Sequence, residues 1–144
     1  GGVKELKELL DVAVLAHEDE VDLLANSDLN LSNMMAMGPI ELNIDKELKD
    51  DETIYFGNHK GQIIHTPGHS KGGICFKVND YLFTGDTLFK QSVGRSDLHG
   101  GDHELLINSI RNKLLAFSND TKVFPGHGDS STLGHEKLFN KFLQ

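Results

Sequence analysis

The chain has 144 residues, of which 38% are hydrophobic and 25% charged, and its formal net charge is −8 at pH 7. This length predicts a single domain over residues 1–144, and the acidic balance argues against nucleic acid or an anionic membrane surface as a partner. The single cysteine, Cys75, excludes an intrachain disulfide and a zinc site built from several cysteines. Because the sequence contains neither a membrane-spanning apolar run nor a signal-peptide pattern, we expect a cytoplasmic protein.

The N-terminal third of the chain predicts two short helices with a strand between them. Apolar residues follow helical spacing over residues 3–10, and the run VAVLA (12–16) is typical of a short buried strand. Residues 17–26 predict a second helix with acidic residues in its first turn. Residues 27–52 have no clear pattern and predict a surface excursion. The methionines of this segment are expected to fill core space, with lining of an adaptable apolar substrate wall as the alternative; they are Met34, Met35 and Met37.

The remainder of the chain predicts a sheet flanked by helices. Five apolar runs predict strands: TIYF (53–56), GQIIHT (61–66), GICFKV (73–78), YLFTG (81–85) and KVF (122–124). The Asn79-Asp80 pair predicts a tight hairpin turn, and residues 86–101 predict a glycine-rich loop. Helices are predicted over residues 103–117 and 132–144, the second with Thr132 as its N-cap. Helices that flank a group of strands indicate an α/β layered fold.

Three polar side chains follow apolar runs at points where strands are predicted to end. They are His69 in HTPGHS, Asp86 in YLFTGDT and His127 in KVFPGHGD, and each has a glycine directly before it. A residue just past the end of a packed strand is held rigidly, and the glycine allows a tight turn. Two imidazoles and one carboxylate form a ligand set that zinc, iron or manganese accepts. The three residues lie far apart in sequence, so the fold must assemble such a site.

Each of these residues also has a simpler interpretation. A histidine after Pro-Gly is often a surface turn residue, and Gly-Asp and Pro-Gly-His-Gly are common loop sequences. Taken singly, none of the three motifs identifies a metal ligand. Their recurrence after three apolar runs in one short chain favours the metal site.

Six segments of the chain resemble a known family: TPGHS (66–70), LFTGDTLF (82–89), VGRSD (93–97), GGDHELLINSI (100–110), VFPGHG (123–128) and STLGHEKLFNKFLQ (131–144). They resemble the metallo-β-lactamase-fold hydrolases. Within that family, the similarity is greatest to the short glyoxalase II-like (hydroxyacylglutathione hydrolase-like) branch. The resemblance extends over nearly the whole chain and is strongest from about residue 61 to the end.

The resemblance implies the C-terminal part of an αββα sandwich, with a mixed sheet and flanking helices. It implies that His69 binds a first metal, that Asp86 bridges two metals and acts in catalysis, and that His127 binds the second. Two Zn²⁺ ions per intact site are expected, with iron or manganese as alternatives. The implied reaction is hydrolysis of a small-molecule thioester, such as S-lactoylglutathione, by a metal-held hydroxide.

The sequence departs from the family in one respect. The H-x-H-x-D-H motif, which supplies most of the remaining ligands in the family, is absent from these 144 residues. We therefore expect the chain to be an N-terminally truncated, C-terminal portion of a longer protein. Because three ligands divided between two ions are few, this chain alone is expected to be metal-poor and inactive. Missing strands would also expose sheet surface through which the chain could self-associate.

Two alternatives to the thioesterase stay open. The chain could be a non-catalytic half-domain that pairs with itself or with a separate N-terminal half. Within the family, it could be an iron-dependent persulfide dioxygenase or another metallo-β-lactamase-fold hydrolase. For Arg95, pairing with Asp97 to fix its loop is the first interpretation, and contact with an anionic substrate is the second.

Overall fold

The computed structural model describes residues 2–34 and 38–144, and its contacts divide the chain into two units, Gly1–Leu48 and Lys49–Gln144. The expectation of one domain over residues 1–144 stays a prediction. Among the described residues, no helix combines the length and apolar character needed to cross a membrane.

The described residues of the first unit form two helices and a pair of parallel strands. Its regular elements are α1 (Gly2–Leu10), β1 (Leu15–His17), a 3₁₀ turn (Glu18–Glu20), α2 (Val21–Ala25), a second 3₁₀ turn (Ser32–Met34) and β2 (Lys46–Leu48). The strand β1 pairs with β2 in parallel register. Both predicted helices are confirmed, the second as the 3₁₀ turn followed by α2.

Two predictions in this unit are wrong in detail. The strand predicted over residues 12–16 occupies Leu15–His17, because the backbone amide of Val14 donates to the side chain of Asp45 at 2.7 Å instead of to a neighbouring strand. Met34 does not fill core space, since 81% of its surface is exposed. The same expectation for Met35 and Met37 lies outside the described residues.

The second unit contains a six-stranded mixed sheet. The strand order is β10-β9-β6-β5-β4-β3, and every neighbouring pair is antiparallel except β6 and β9, which are parallel. The strands are β3 (Thr53–Phe56), β4 (His59–His65), β5 (Ile74–Val78), β6 (Tyr81–Gly85), β9 (Lys122–Pro125) and β10 (Ser131–Thr132). This confirms all five predicted strands and the α/β fold class, with β3–β6 forming an antiparallel meander.

The sheet bears two further helices and a small hairpin. The hairpin, β7 (Leu88–Phe89) and β8 (Ser92–Val93), lies within the segment that was predicted to be a loop. The helix α3 (His103–Ser109) continues as a π-helical turn (Ile110–Leu114). The helix α4 (Leu133–Phe139) begins at Thr132, whose side chain accepts from the amide of His135 at 3.2 Å, as predicted for an N-cap.

The core of this unit lies between the sheet and these elements. Its buried members are Ile64, Cys75, Leu82, Leu88, Leu106, Ile110, Leu114, Val123, Leu133 and Leu143. Cys75 is fully buried, and this burial raises the pKa of its thiol to about 11. This environment is typical of a structural cysteine.

Aromatic side chains of the sheet form two groups in ring contact, Phe56 with Phe76, and Tyr81 and Phe83 with Phe124; of these, Phe56, Tyr81 and Phe83 are exposed. Tyr81 and Phe83 alternate along β6 with buried Leu82, and 43% and 47% of their surfaces are exposed. The ring of Phe83 stacks on that of Phe124 with centroids 5.5 Å apart. Self-association through this surface stays a prediction.

Replacement of Leu106 by Ala is predicted to lower the free energy of unfolding by about 2–5 kcal/mol, because it leaves a cavity in the core. Leu106 is fully buried, whereas 44% of its neighbour Leu105 is exposed. The matched Leu105→Ala variant is therefore expected to lose about 1 kcal/mol or less. Urea unfolding followed by circular dichroism measures both, and equal losses would contradict this description of the core.

Candidate active site

The sheet topology brings the three predicted ligands to the same end of the sheet. The parallel strands β6 and β9 pair with Gly85 opposite Pro125, so Asp86, directly after Gly85, and His127, two residues after Pro125, lie at the same end of these strands. The strand β4 is antiparallel to β5, which is antiparallel to β6, so β4 also ends there. His69 follows β4 in the turn after His65. The predicted convergence of two histidines and one aspartate is present in the structure.

The carboxylate of Asp86 lies between the two imidazoles. Its Oδ2 is 3.8 Å from Nε2 of His69, and its Oδ1 is 3.7 Å from Nε2 of His127. Zn–N and Zn–O bonds are about 2.1 Å each, so two ligand atoms of one ion lie within about 4.2 Å of each other. Each imidazole–carboxylate pair therefore fits one ion, and the two oxygens of Asp86 fit a bridge between two ions. The metal roles themselves stay predictions.

The second ring nitrogen of His69 is held by the backbone. Its Nδ1 lies 2.7 Å from the carbonyl oxygen of Arg95, and because a carbonyl can only accept, Nδ1 carries the proton and donates. In the neutral ring, the lone pair then lies on Nε2, which faces Asp86. This is the tautomer in which a histidine ligates a metal through Nε2.

Two of the three glycines that precede the predicted ligands lie so close to neighbouring atoms that no side chain would fit there. A Cβ on Gly126 would lie 2.6 Å from Oδ1 of Asp86. Gly68 has φ +132°, and a Cβ there would lie 2.3 Å from the backbone nitrogen of Leu106. Any side chain at these two positions would displace Asp86 or the turn that carries His69.

A cavity of about 520 Å³ opens beside these residues. Besides the three predicted ligands, its walls include Phe89, Lys90, Ser92, Val93, Gly94, Arg95, Gly128 and Asp129. The side chain of His127 is 75% exposed, and its ring lies against that of Phe89 with centroids 4.5 Å apart. The cavity therefore has room for a small substrate beside the candidate metal position.

Arg95 pairs with Asp97, as its first interpretation predicted. Its Nε and Nη2 donate to the two oxygens of Asp97, both at 2.8 Å. These hydrogen bonds lower the pKa of Asp97 to about 2 and raise the pKa of Arg95. Arg95 also lines the cavity, and contact of its guanidinium with a substrate stays a prediction.

Sequence reasoning missed Phe89 and Lys90, which lie on the hairpin inside the predicted loop. The Nζ atom of Lys90 is 3.2 Å from Oδ2 of Asp129, and both residues line the cavity. A signal for this hairpin was present, since Leu88-Phe89 and Ser92-Val93 flank two polar residues. This signal was not used, because the glycines of residues 86–101 led to the prediction of a loop.

Comparisons with known proteins agree with this fold. The family model of the metallo-beta-lactamase superfamily matches residues 1–127. The chain is 45% identical over 103 residues to an uncharacterized protein of Mycobacterium tuberculosis, which covers 67% of this chain and 46% of that protein. It is 35% identical over 148 residues to the probable metallo-hydrolase YqgX of Bacillus subtilis, covering 99% of this chain and 69% of the relative.

A third relative and two solved structures are also similar. The hydroxyacylglutathione hydrolase GloC of Haemophilus influenzae is 41% identical over 97 residues, which cover 66% of this chain and 46% of GloC. The BLEG-1 B3 metallo-beta-lactamase superposes with a TM-score of 0.92 at 37% identity, covering 99% of this chain and 70% of that one. TTHA1623 in a di-iron-bound form superposes with a TM-score of 0.84 at 34% identity, covering 99% and 71%. The chain thus spans about half the length of several curated relatives that it matches, 46% for the Mycobacterium protein.

Replacement of Arg95 by Met is predicted to raise the pKa of Asp97 from about 2 toward its ordinary value of 3.8, because the hydrogen bonds from the guanidinium lower it. A carboxyl whose pKa is lowered by folding stabilises the folded state at pH values above its unfolded pKa of 3.8. This contribution is lost as the pH falls toward about 2, the pKa in the folded state. The carboxyl carbon of Asp97, followed by NMR during an acid titration, measures the change.

The matched control is Arg111→Met, which removes a second arginine that donates to the backbone carbonyl of Gln144. That variant is expected to leave the titration of Asp97 unchanged. An Asp97 titration that is the same with and without Arg95 would show that another group lowers its pKa.

Proposed function

The chain belongs to the metallo-beta-lactamase superfamily, and from this premise we propose that the whole protein is a metal-dependent hydrolase that cleaves thioesters. The proposal of metal-dependent hydrolysis rests on the position of Asp86, which has one oxygen toward His69 and the other toward His127. A carboxylate in this position suits two metal ions held side by side.

The residues of this chain have separate tasks in the proposed reaction. His69 and His127 would each hold one ion through Nε2, and Asp86 would bridge the two. When bound, two divalent cations supply a nucleophile at neutral pH and polarise the substrate carbonyl. The backbone carbonyl of Arg95 keeps His69 in the required tautomer.

The cavity walls suggest how a substrate would be oriented. Phe89 and Val93 offer apolar surface, whereas Lys90 and Arg95 carry positive charge at the cavity wall. A substrate with an anionic group away from its reacting carbonyl would suit this arrangement. The side chain of Lys90 already pairs with Asp129, and that of Arg95 with Asp97. The substrate would therefore share or displace these carboxylate partners.

The choice of a thioester rests on similarity to GloC, which is named a hydroxyacylglutathione hydrolase. Zinc is the proposed metal, because imidazole and carboxylate suit it. The di-iron form of TTHA1623 favours iron as the alternative, since that protein is 34% identical to this chain.

A second candidate function is hydrolysis of β-lactams. The observation that favours it is the similarity to BLEG-1, described as a B3 metallo-beta-lactamase, at a TM-score of 0.92. Both reactions cleave an acyl bond, so the same pair of metals would serve either one. The substrate-binding walls then decide between them.

For this chain by itself, we propose weak metal binding and no turnover. Its three candidate ligands, His69, Asp86 and His127, would leave each of two ions with two protein donors. Catalytic zinc sites usually supply three. Each ion would then need at least one further donor.

Replacement of Asp86 by Asn is predicted to weaken Zn²⁺ binding to this chain by at least about tenfold, because it removes the bridging negative charge. The control is Asp129→Asn, an aspartate at the same cavity whose side chain is 80% exposed and pairs with Lys90. Equilibrium dialysis with metal analysis measures both. Equal zinc binding by the two variants would remove Asp86 from the site.

In the whole protein, as its gene encodes it, Asp86→Asn is predicted to lower kcat for a thioester by at least about 100-fold, because the bridge contributes several kcal/mol to the transition state. Thiol release from S-lactoylglutathione and ring opening of a β-lactam are measured side by side. Cleavage of the β-lactam alone would replace the thioesterase by the second candidate. Cleavage of neither, with zinc or iron supplied, would refute both substrate assignments.

A further inference from the structure

The C-terminal helix α4 holds the Leu88–Val93 hairpin that forms one wall of the candidate site. The two strands of this hairpin are joined by a turn of two residues, Lys90 and Gln91. Gln91 has φ +58°, a left-handed conformation that is uncommon for a residue other than glycine. Such a turn persists only where its surroundings hold it.

The group that holds the turn is a buried carboxylate. Glu136 on α4 is fully buried, and its Oε2 accepts from the backbone amide of Gln91 at 2.8 Å. The same oxygen accepts from Nδ2 of Asn140 at 2.8 Å, and Oε1 accepts from the hydroxyl of Ser131. A glutamate is rarely buried unless its oxygens are bound, and here neutral donors bind both of them.

A second contact from the same helix end holds the strand that follows the turn. Asn140, which is also fully buried, donates from Nδ2 to the carbonyl of Ser92 at 3.0 Å. At the turn itself, Nε2 of Gln91 donates to Nε2 of His135 at 2.9 Å. The helix and its C-cap therefore hold the hairpin at three groups, the backbone amide and the side chain of Gln91 and the carbonyl of Ser92.

The other side of the hairpin contacts the candidate metal ligands. The ring of Phe89 lies 4.5 Å from the ring of His127, measured between centroids. The segment that leaves the hairpin reaches Arg95, whose carbonyl accepts from Nδ1 of His69 at 2.7 Å. A shift of the hairpin would consequently move the contacts of both histidines.

We propose that Glu136 is a positioning residue for the candidate metal site and that it acts through the Leu88–Val93 hairpin. Glu136 fixes the amide of Gln91, and with it the places of Phe89 against His127 and of the Arg95 carbonyl against His69. The proposal rests on the metal site of the proposed function. Its geometric part concerns only residues of this chain.

The test compares Glu136→Met, which removes all three hydrogen bonds, with Glu136→Gln, which can keep them. A glutamine oxygen in the place of Oε2 accepts from Gln91 and Asn140, and its NH₂ group donates to Ser131. The control for loss of a buried polar group is Thr121→Val. Thr121 is 2% exposed and precedes β9, at the opposite end of that strand from His127.

Two quantities are measured in each variant after circular dichroism shows that it is folded. The first, without metal, is the NMR chemical shift of the His127 ring, which the adjacent Phe89 ring displaces; Phe89→Leu defines the undisplaced value. The second is the affinity for Zn²⁺ by titration calorimetry. If Glu136→Met does not fold, Glu136→Asp takes its place, because its shorter side chain withdraws the carboxylate from Gln91 while keeping it polar.

The His127 signal of Glu136→Met is expected to move toward its value in Phe89→Leu, and the zinc affinity to fall about 10- to 100-fold. Glu136→Gln and Thr121→Val are expected to stay close to wild type in both. An unmoved His127 signal and an unchanged affinity in Glu136→Met would refute the proposal, as would a Glu136→Gln variant that is as impaired as Glu136→Met. If the wild type binds no zinc while the His127 signal still depends on Glu136, the positioning role stands and the metal site of the proposed function fails.

Discussion

The parallel pairing of β6 with β9 is the contact on which the candidate site depends. It is the single parallel pair in the six-stranded sheet, and it places Gly85 opposite Pro125. Because parallel strands end on the same side, Asp86, directly after Gly85, and His127, two residues after Pro125, can approach each other. An antiparallel pairing would have sent them to opposite ends of the sheet, about 13 Å apart for a four-residue strand.

The site is therefore supported in two different ways. Asp86 directly follows the last residue of β6, whereas His127 and His69 lie two and four residues past the ends of their strands and take their orientation from neighbours. His69 takes it from a backbone carbonyl, and His127 from an aromatic ring. Turns have fewer fixed contacts than strands, so these neighbours matter more for the histidines than for the aspartate.

The elements that the sequence predicts correctly are mostly those set by residues close to one another along the chain. The strands β3–β6 and the ligand positions depend on local patterns, apolar alternation ending in glycine, and were predicted. The displaced strand β1 depends on a distant partner, Asp45, whereas the hairpin had a local signal in a segment that was predicted to be a loop. Glu136 is the clearest case, because its partner Gln91 lies 45 residues away and a glutamate in a helix normally indicates an exposed face. Nothing in the local sequence distinguishes it from the exposed Glu104.

Cys75 has a consequence beyond the core that it helps to fill. It lies on β5 at the centre of the meander, fully buried, with a thiol pKa of about 11. A thiol reagent attacks the thiolate, so a buried and protonated sulfur reacts only when the surrounding strands separate. Because Cys75 is the single cysteine of the chain, its alkylation rate measures how often the sheet opens transiently. Mass spectrometry can follow this rate on the unlabelled protein.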